Sequence, residues 1–169
     1  MPPILRLYRR VTRLPLGDRL FSCAFARKAP YFATVRPRFT VLEPNHVELV
    51  VPNRRAVHNH IGTVHAIALC NGLEAAMGAL AEATIPPHKR WIPKGMEVAY
   101  TAKADSDVTC VAVTDSSQWS GDAPDLPVRV RGTRADGTVV IEGVIRLWVT
   151  ERGASSRATP PLPSTEGAS

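Results

Sequence analysis

A chain of 169 residues, 44% hydrophobic and 21% charged, has the length of one domain and the composition of an ordinary globule. That excludes a large multidomain enzyme and a wholly disordered chain. The formal charge of +6 would suit a nucleic-acid binder, but residues 1–40 carry +8, through nine Arg and Lys against Asp18 alone, so the remainder sums to −2.

In chain order, Ile4, Leu7, Tyr8, Val11 and Leu14 recur at helical spacing among Arg6, Arg9, Arg10 and Arg13, and predict a first short helix stopped at Pro15-Leu16-Gly17. Asp18 offers an N-cap for a second, which Pro30 ends. Such an arginine-rich start also fits a transit peptide or a membrane-surface helix, though a solvated basic face on helices packed against the domain is the simpler reading. Residues 34–42 and 46–51 read as strands joined at Pro44-Asn45, and a long helix spans His65 to Ala83. Strands follow at 96–102, at 108–114, around Val128 to Arg131, and over 139–149 after the Asp136-Gly137 turn, with a polar loop at 116–127. Residues 1–30 are thus expected as basic amino-terminal helices, 31–150 as the domain, and 151–169, rich in Gly, Ser, Thr, Ala and Pro, as a disordered tail.

The long helix, HAIALCNGLEAAMGALAEA, is apolar on nearly every side, which predicts burial inside a curled sheet. It is the longest apolar stretch, and Asn71 and Glu74 interrupt it, so no membrane span is expected. Asn71 and Glu74 are three apart on one face. A carboxylate there must be paired, protonated or facing a wet cavity, which makes Glu74 a candidate functional residue. Before the helix, His58, His60 and His65 fall within eight positions, but their spacing matches no zinc pattern and no cysteine is near, so no metal and no cofactor is expected. Backbone N–H groups at the helix start would instead favour a negatively charged ligand group. Three scattered cysteines, Cys23, Cys70 and Cys110, form no disulfide framework, and a reducing, cytoplasmic location follows. With no recognition motif and few aromatic residues, nucleic acid is not an expected partner.

Asn59, Gly62, His65 and the acid nine positions later, Glu74, resemble the signature of the hotdog-fold thioesterase superfamily, in particular the phenylacetate-pathway type of acyl-CoA thioesterase and a related branch known only as a domain of unknown function. The resemblance spans about residues 31–150. It departs at Ala66-Ile67, where the family has Gly-Gly, and at Pro93, where some members carry Ser or Thr.

The resemblance implies an α+β hotdog fold, an antiparallel sheet wrapped around one long central helix. It also implies a homodimer, or a dimer of dimers, with sites at the interface. The implied activity is hydrolysis of acyl-CoA or acyl-carrier thioesters. Glu74 would act as general base or nucleophile, the Ala66 N–H as oxyanion donor and Asn59 as a carbonyl- or water-orienting group, with His65 fixing the loop. Gly62 and Asn71 would line the substrate path, and Arg54 or Arg55 would meet the phosphates of coenzyme A. The alternative is a non-catalytic hotdog module that binds acyl-CoA or fatty acyl ligands, motivated by Ala66-Ile67 and by Pro93.

Overall fold

The computed structural model describes residues 1–120 and 123–152. The expected tail therefore lies, from residue 153 on, outside the described residues.

Two helices, α1 (Pro3–Val11) and α2 (Gly17–Lys28), and a 3-10 turn (Pro30–Thr34) precede the hairpin of β1 (Arg38–Glu43) and β2 (His46–Val51). The long helix α3 (Ala66–Thr84) follows, then β3 (Lys89–Tyr100), β4 (Val108–Val113), β5 (Ala123–Arg134) and β6 (Val139–Glu151). The six strands form one antiparallel sheet in the order β1-β2-β4-β5-β6-β3, which leaves β1 and β3 as its edges. Alternation along the strands turns Val47, Leu49 and Val51 of β2, and Val108, Cys110 and Ala112 of β4, onto α3. The helix answers with small residues. A Cβ on Gly72 would lie 2.5 Å from Val51 Cγ2 and 3.0 Å from Cys110 Sγ, so only glycine lets α3 sit this close to the sheet. By length and composition α3 could cross a membrane, but two-thirds of it is buried inside the sheet, as befits a core helix.

The amino-terminal helices pack on this body through aromatic rings. Phe21 meets Phe39 of β1 edge-on at 5.3 Å, Phe25 meets it at 4.7 Å and also stacks on Phe32 of the turn at 5.7 Å. The Ser22 hydroxyl accepts the Phe39 N–H at 3.0 Å, and the Tyr8 hydroxyl donates to the Thr40 carbonyl at 3.0 Å. The arginines of α1 and α2 stay exposed.

Four local expectations need correction. The cap of α2 is Leu16, at a φ of 58°, and not Asp18. Gly17 lies against Val11, where a Cβ would be 2.0 Å from the carbonyl oxygen, so the helix starts two residues early and Asp18 sits in its first turn. Strand β1 begins at Arg38 because the 3-10 turn and Arg36, at φ 48°, redirect the chain. Strand β3 begins seven residues earlier than its alternation predicts, because β6 pairs with it from Lys89 onward across a bulge between Pro93 and Gly95. The expected loop at 116–127 is a 3-10 turn, Ser116–Trp119, and then the start of β5.

Candidate active site

The segment between β2 and α3 is tied down before it reaches the helix. Asn53 N–H donates to Asp107 Oδ1 at 2.8 Å, Val64 N–H to the Ala104 carbonyl at 2.9 Å, and His65 N–H to the Val57 carbonyl at 2.8 Å. Asn59 shapes the tip. Its Oδ1 accepts the N–H groups of Ile61 and Thr63, each at 3.1 Å, and its Nδ2 donates to Thr63 Oγ1 at 2.9 Å. Gly62 closes the turn at a φ of 81°, a backbone conformation that side chains resist. Because both lone pairs of the Asn59 oxygen are engaged in its own loop, only its second Nδ2 hydrogen is left for a ligand.

His65 caps α3, its Nδ1 accepting the Ile67 N–H at 3.0 Å. An accepting Nδ1 is unprotonated, so the neutral ring carries its proton on Nε2 and is committed to holding the helix start. The Ala66 N–H finds no intramolecular acceptor among the described residues and sits at the positive end of a 19-residue helix. Ile67 beside it is 56% exposed. The three histidines diverge: His58 Nε2 pairs with Asn53 Oδ1, His65 caps the helix and His60 is exposed.

Asn71 lies one turn further in, in a pocket of about 280 Å³ that it shares with His58, His65, Tyr31 and Thr34. Its Nδ2 donates to Thr34 Oγ1 at 3.0 Å, while its buried Oδ1 has no partner among the described residues. Arg54 turns to the same 3-10 turn, its guanidinium donating to the Thr34 carbonyl and its Nε buried without an acceptor among the described residues. Burial, and then the nearby Arg36, lower its pKa from the ordinary arginine value. Arg55 is exposed.

Glu74 is half-buried, and no hydrogen bond or ion pair holds it among the described residues. It opens on a different cavity, of about 510 Å³, walled by α3, by Trp91 and Pro93 of β3, and by Ile4, Leu7, Phe25 and Phe32. The 3-10 turn separates the two spaces, giving Phe32 to the Glu74 groove and Tyr31 and Thr34 to the Asn71 pocket. The fold of the single chain does not bring Glu74 and the Ala66 N–H together: eight residues of helix set them about 12 Å apart along the axis. Asn71 and Glu74, close in sequence, thus serve different cavities. The share of α1 and α2 in the Glu74 groove has no signal in the sequence, because their periodicity shows that a face is buried and not what it is buried against.

On the open side, β3 pairs among the described residues only with β6, and exposes Ile92 and Tyr100. The Tyr100 hydroxyl lies 3.5 Å from Cys70 Sγ, a bond that raises the tyrosine pKa.

Residues 17–149 match the model of a family described as a domain of unknown function, DUF4442. A crystal structure from a genomics programme, whose name states no activity, shares 40% identity, with 88% of this chain and 99% of that one covered and a TM-score of 0.77. A Pseudomonas aeruginosa protein of unknown function, named a probable thioesterase, aligns at 24% identity over 82% and 97% of the two chains, with a TM-score of 0.70. A thioesterase family protein from Silicibacter pomeroyi aligns at 19% over 78% and 99%, with a TM-score of 0.62. No functionally curated protein matches.

Proposed function

The chain belongs to the DUF4442 family and has a hotdog fold, and from that premise we propose that it hydrolyses acyl-CoA or acyl-carrier thioesters at a site built around Glu74. The observation that carries this reading is a carboxylate, unpaired among the described residues, on the wall of an apolar groove. The names of the similar structures from Pseudomonas aeruginosa and Silicibacter pomeroyi point the same way.

In this mechanism Glu74 takes a proton from water, and the hydroxide attacks the thioester carbonyl. The oxyanion that forms is stabilised by the free N–H of Ala66 at the start of α3. Collapse expels the thiolate, which takes the proton from Glu74, leaving a carboxylic acid and a thiol. Attack by Glu74 itself, through a mixed anhydride, is the variant pathway. Since Glu74 and Ala66 of one chain are about 12 Å apart along α3, the donor comes from Ala66 of the partner subunit in a homodimer. The open edge of β3 supports that pairing. Asn59 and Gly62 shape the donor loop, and Arg55, exposed before it, is the better placed of the two arginines for coenzyme A phosphates, because Arg54 is occupied with Thr34. The free cysteines agree with a reducing cytoplasm.

Glu74→Gln should lower kcat/KM at least about 100-fold with an unchanged elution volume, as expected for loss of a general base. Turnover within about threefold of wild type would remove Glu74 from the mechanism. The exposed Ile67 next to the donor favours a second reading, an acyl-binding module without catalysis. Thermal stabilisation by thioesters with no thiol release would select it.

A further inference from the structure

The groove beside Glu74 is larger and more apolar than a thioester carbonyl and a water require. Its volume, about 510 Å³, falls within the range of sites that bury most of a drug-sized ligand. Apart from Glu74, Glu82 and Lys28, every lining residue is apolar. Glu82 is already occupied, its Oε1 accepting the Trp91 indole N–H at 3.1 Å. One side is α3 and β3. The opposite side is Ile4 and Leu7 of α1, Phe25 of α2, and Phe32 of the 3-10 turn, so the amino-terminal segment acts as a roof. In the middle of the floor Gly78 leaves space: a Cβ there would meet only the Trp91 ring, at 3.5 Å.

We propose that this groove is an acyl-chain site for medium to long fatty acyl groups, and that the α1–α2 roof together with Gly78 sets which chains fit. The proposal rests on the thioester reading for what is attached to the acyl group, and on the groove alone for the chain itself. Polarity argues for the occupant. A chain of methylenes replaces water against Leu7, Phe25, Phe32 and Trp91 without leaving any buried donor or acceptor unpaired, whereas a polar acyl group would find only Glu74 and the rim amine of Lys28. Charge argues for the direction. Glu74 repels a free carboxylate from the reacting end, which favours a neutral thioester entering over its acid product remaining. Each methylene that enters should improve kcat/KM about fourfold until the groove is full.

The test uses the full chain, a series of acetyl, hexanoyl, decanoyl and palmitoyl thioesters of coenzyme A, and the methyl ester of dansyl-labelled undecanoic acid as a neutral binding probe. Gly78→Leu fills the floor, and Leu7→Asp, at an exposed position, places a charge on the roof. In wild type the ratio of decanoyl to acetyl kcat/KM should be large. Either variant should cut that ratio at least tenfold and weaken probe binding at least tenfold. Equal ratios and equal probe binding in wild type and a folded variant would overturn the groove assignment. If Gly78→Leu does not fold, Leu7→Asp alone decides. Probe binding that is lost in the variant, with no thioester turned over by wild type, would keep the acyl site and overturn the hydrolase. Turnover that ignores chain length, with no probe bound, would do the reverse.

Discussion

The two faces of α3 are made of similar residues and behave differently. On the sheet side, Leu73, Ala76 and Gly72 are buried under β2 and β4, and the packing has no slack. On the other side Glu74, Met77 and Gly78 look into a groove roofed by helices that touch the domain mainly through aromatic rings. The contrast teaches that apolar composition alone does not distinguish a core from a binding site. What differs is whether the opposing surface is a hydrogen-bonded sheet in fixed register or a separately packed pair of short helices.

Three comparisons would break or sharpen this contrast. The largest effect is expected at the leucines. Leu73→Ala removes a fully buried side chain and should cost about 2–5 kcal/mol in denaturant unfolding, while Leu7→Ala, on a residue 45% exposed, should stay below about 1 kcal/mol. Equal losses would mean that the roof is as much a part of the core as the sheet. The glycines come next and should differ in sign. Gly72→Ala must displace Val51 or Cys110 and should destabilise by about 1–2 kcal/mol even after the gain in helix propensity. Gly78→Ala meets only ordinary contact and should stabilise by about 0.5–1 kcal/mol.

Smallest in free energy near neutral pH, where it keeps its proton folded or unfolded, is the thiol behind Gly72. Burial pushes Cys110 up to about 12, from an ordinary value of 9.0. Alkylation of the folded protein near neutral pH should therefore modify the exposed Cys23 and spare Cys110. The unfolded chain releases this proton near 9 and the folded chain does not, so the contribution of Cys110 to stability is full below pH 9 and is lost as pH rises from there toward 12. Rapid labelling of Cys110 in the native protein would show that the sheet face of α3 is not closed. Labelling that appears only in Gly72→Ala would locate the break.

Much of the fold was legible because it is local. An apolar 19-residue helix, two short basic helices ahead of it, and Asp136-Gly137 between two alternating runs each leave a pattern within a few residues. Two of the misplacements depend on contacts outside the segment concerned. The start of β3 depends on β6 far along the chain, and the early start of α2 depends on how Gly17 lies against Val11. The candidate site divides the same way. Glu74 stood out as a carboxylate in an apolar helix, and the cap at His65 sits where the helix pattern begins. Asn59, by contrast, offers no clue in sequence that its amide is spent on the backbone of its own loop.

Taken alone, the sequence determined the order of helices and strands, that the excess of basic charge lies in the first quarter, and that one buried helix carries an acid. Those properties follow from side-chain periodicity and charge, which act over a few residues. Only the tertiary structure decided that Asn71 and Glu74 open into separate cavities, that Arg54 faces Thr34, and that α1 and α2 roof the groove at Glu74. These are juxtapositions of residues dozens of positions apart, set by how the aromatic rings of the first helices meet β1, and no local pattern encodes them.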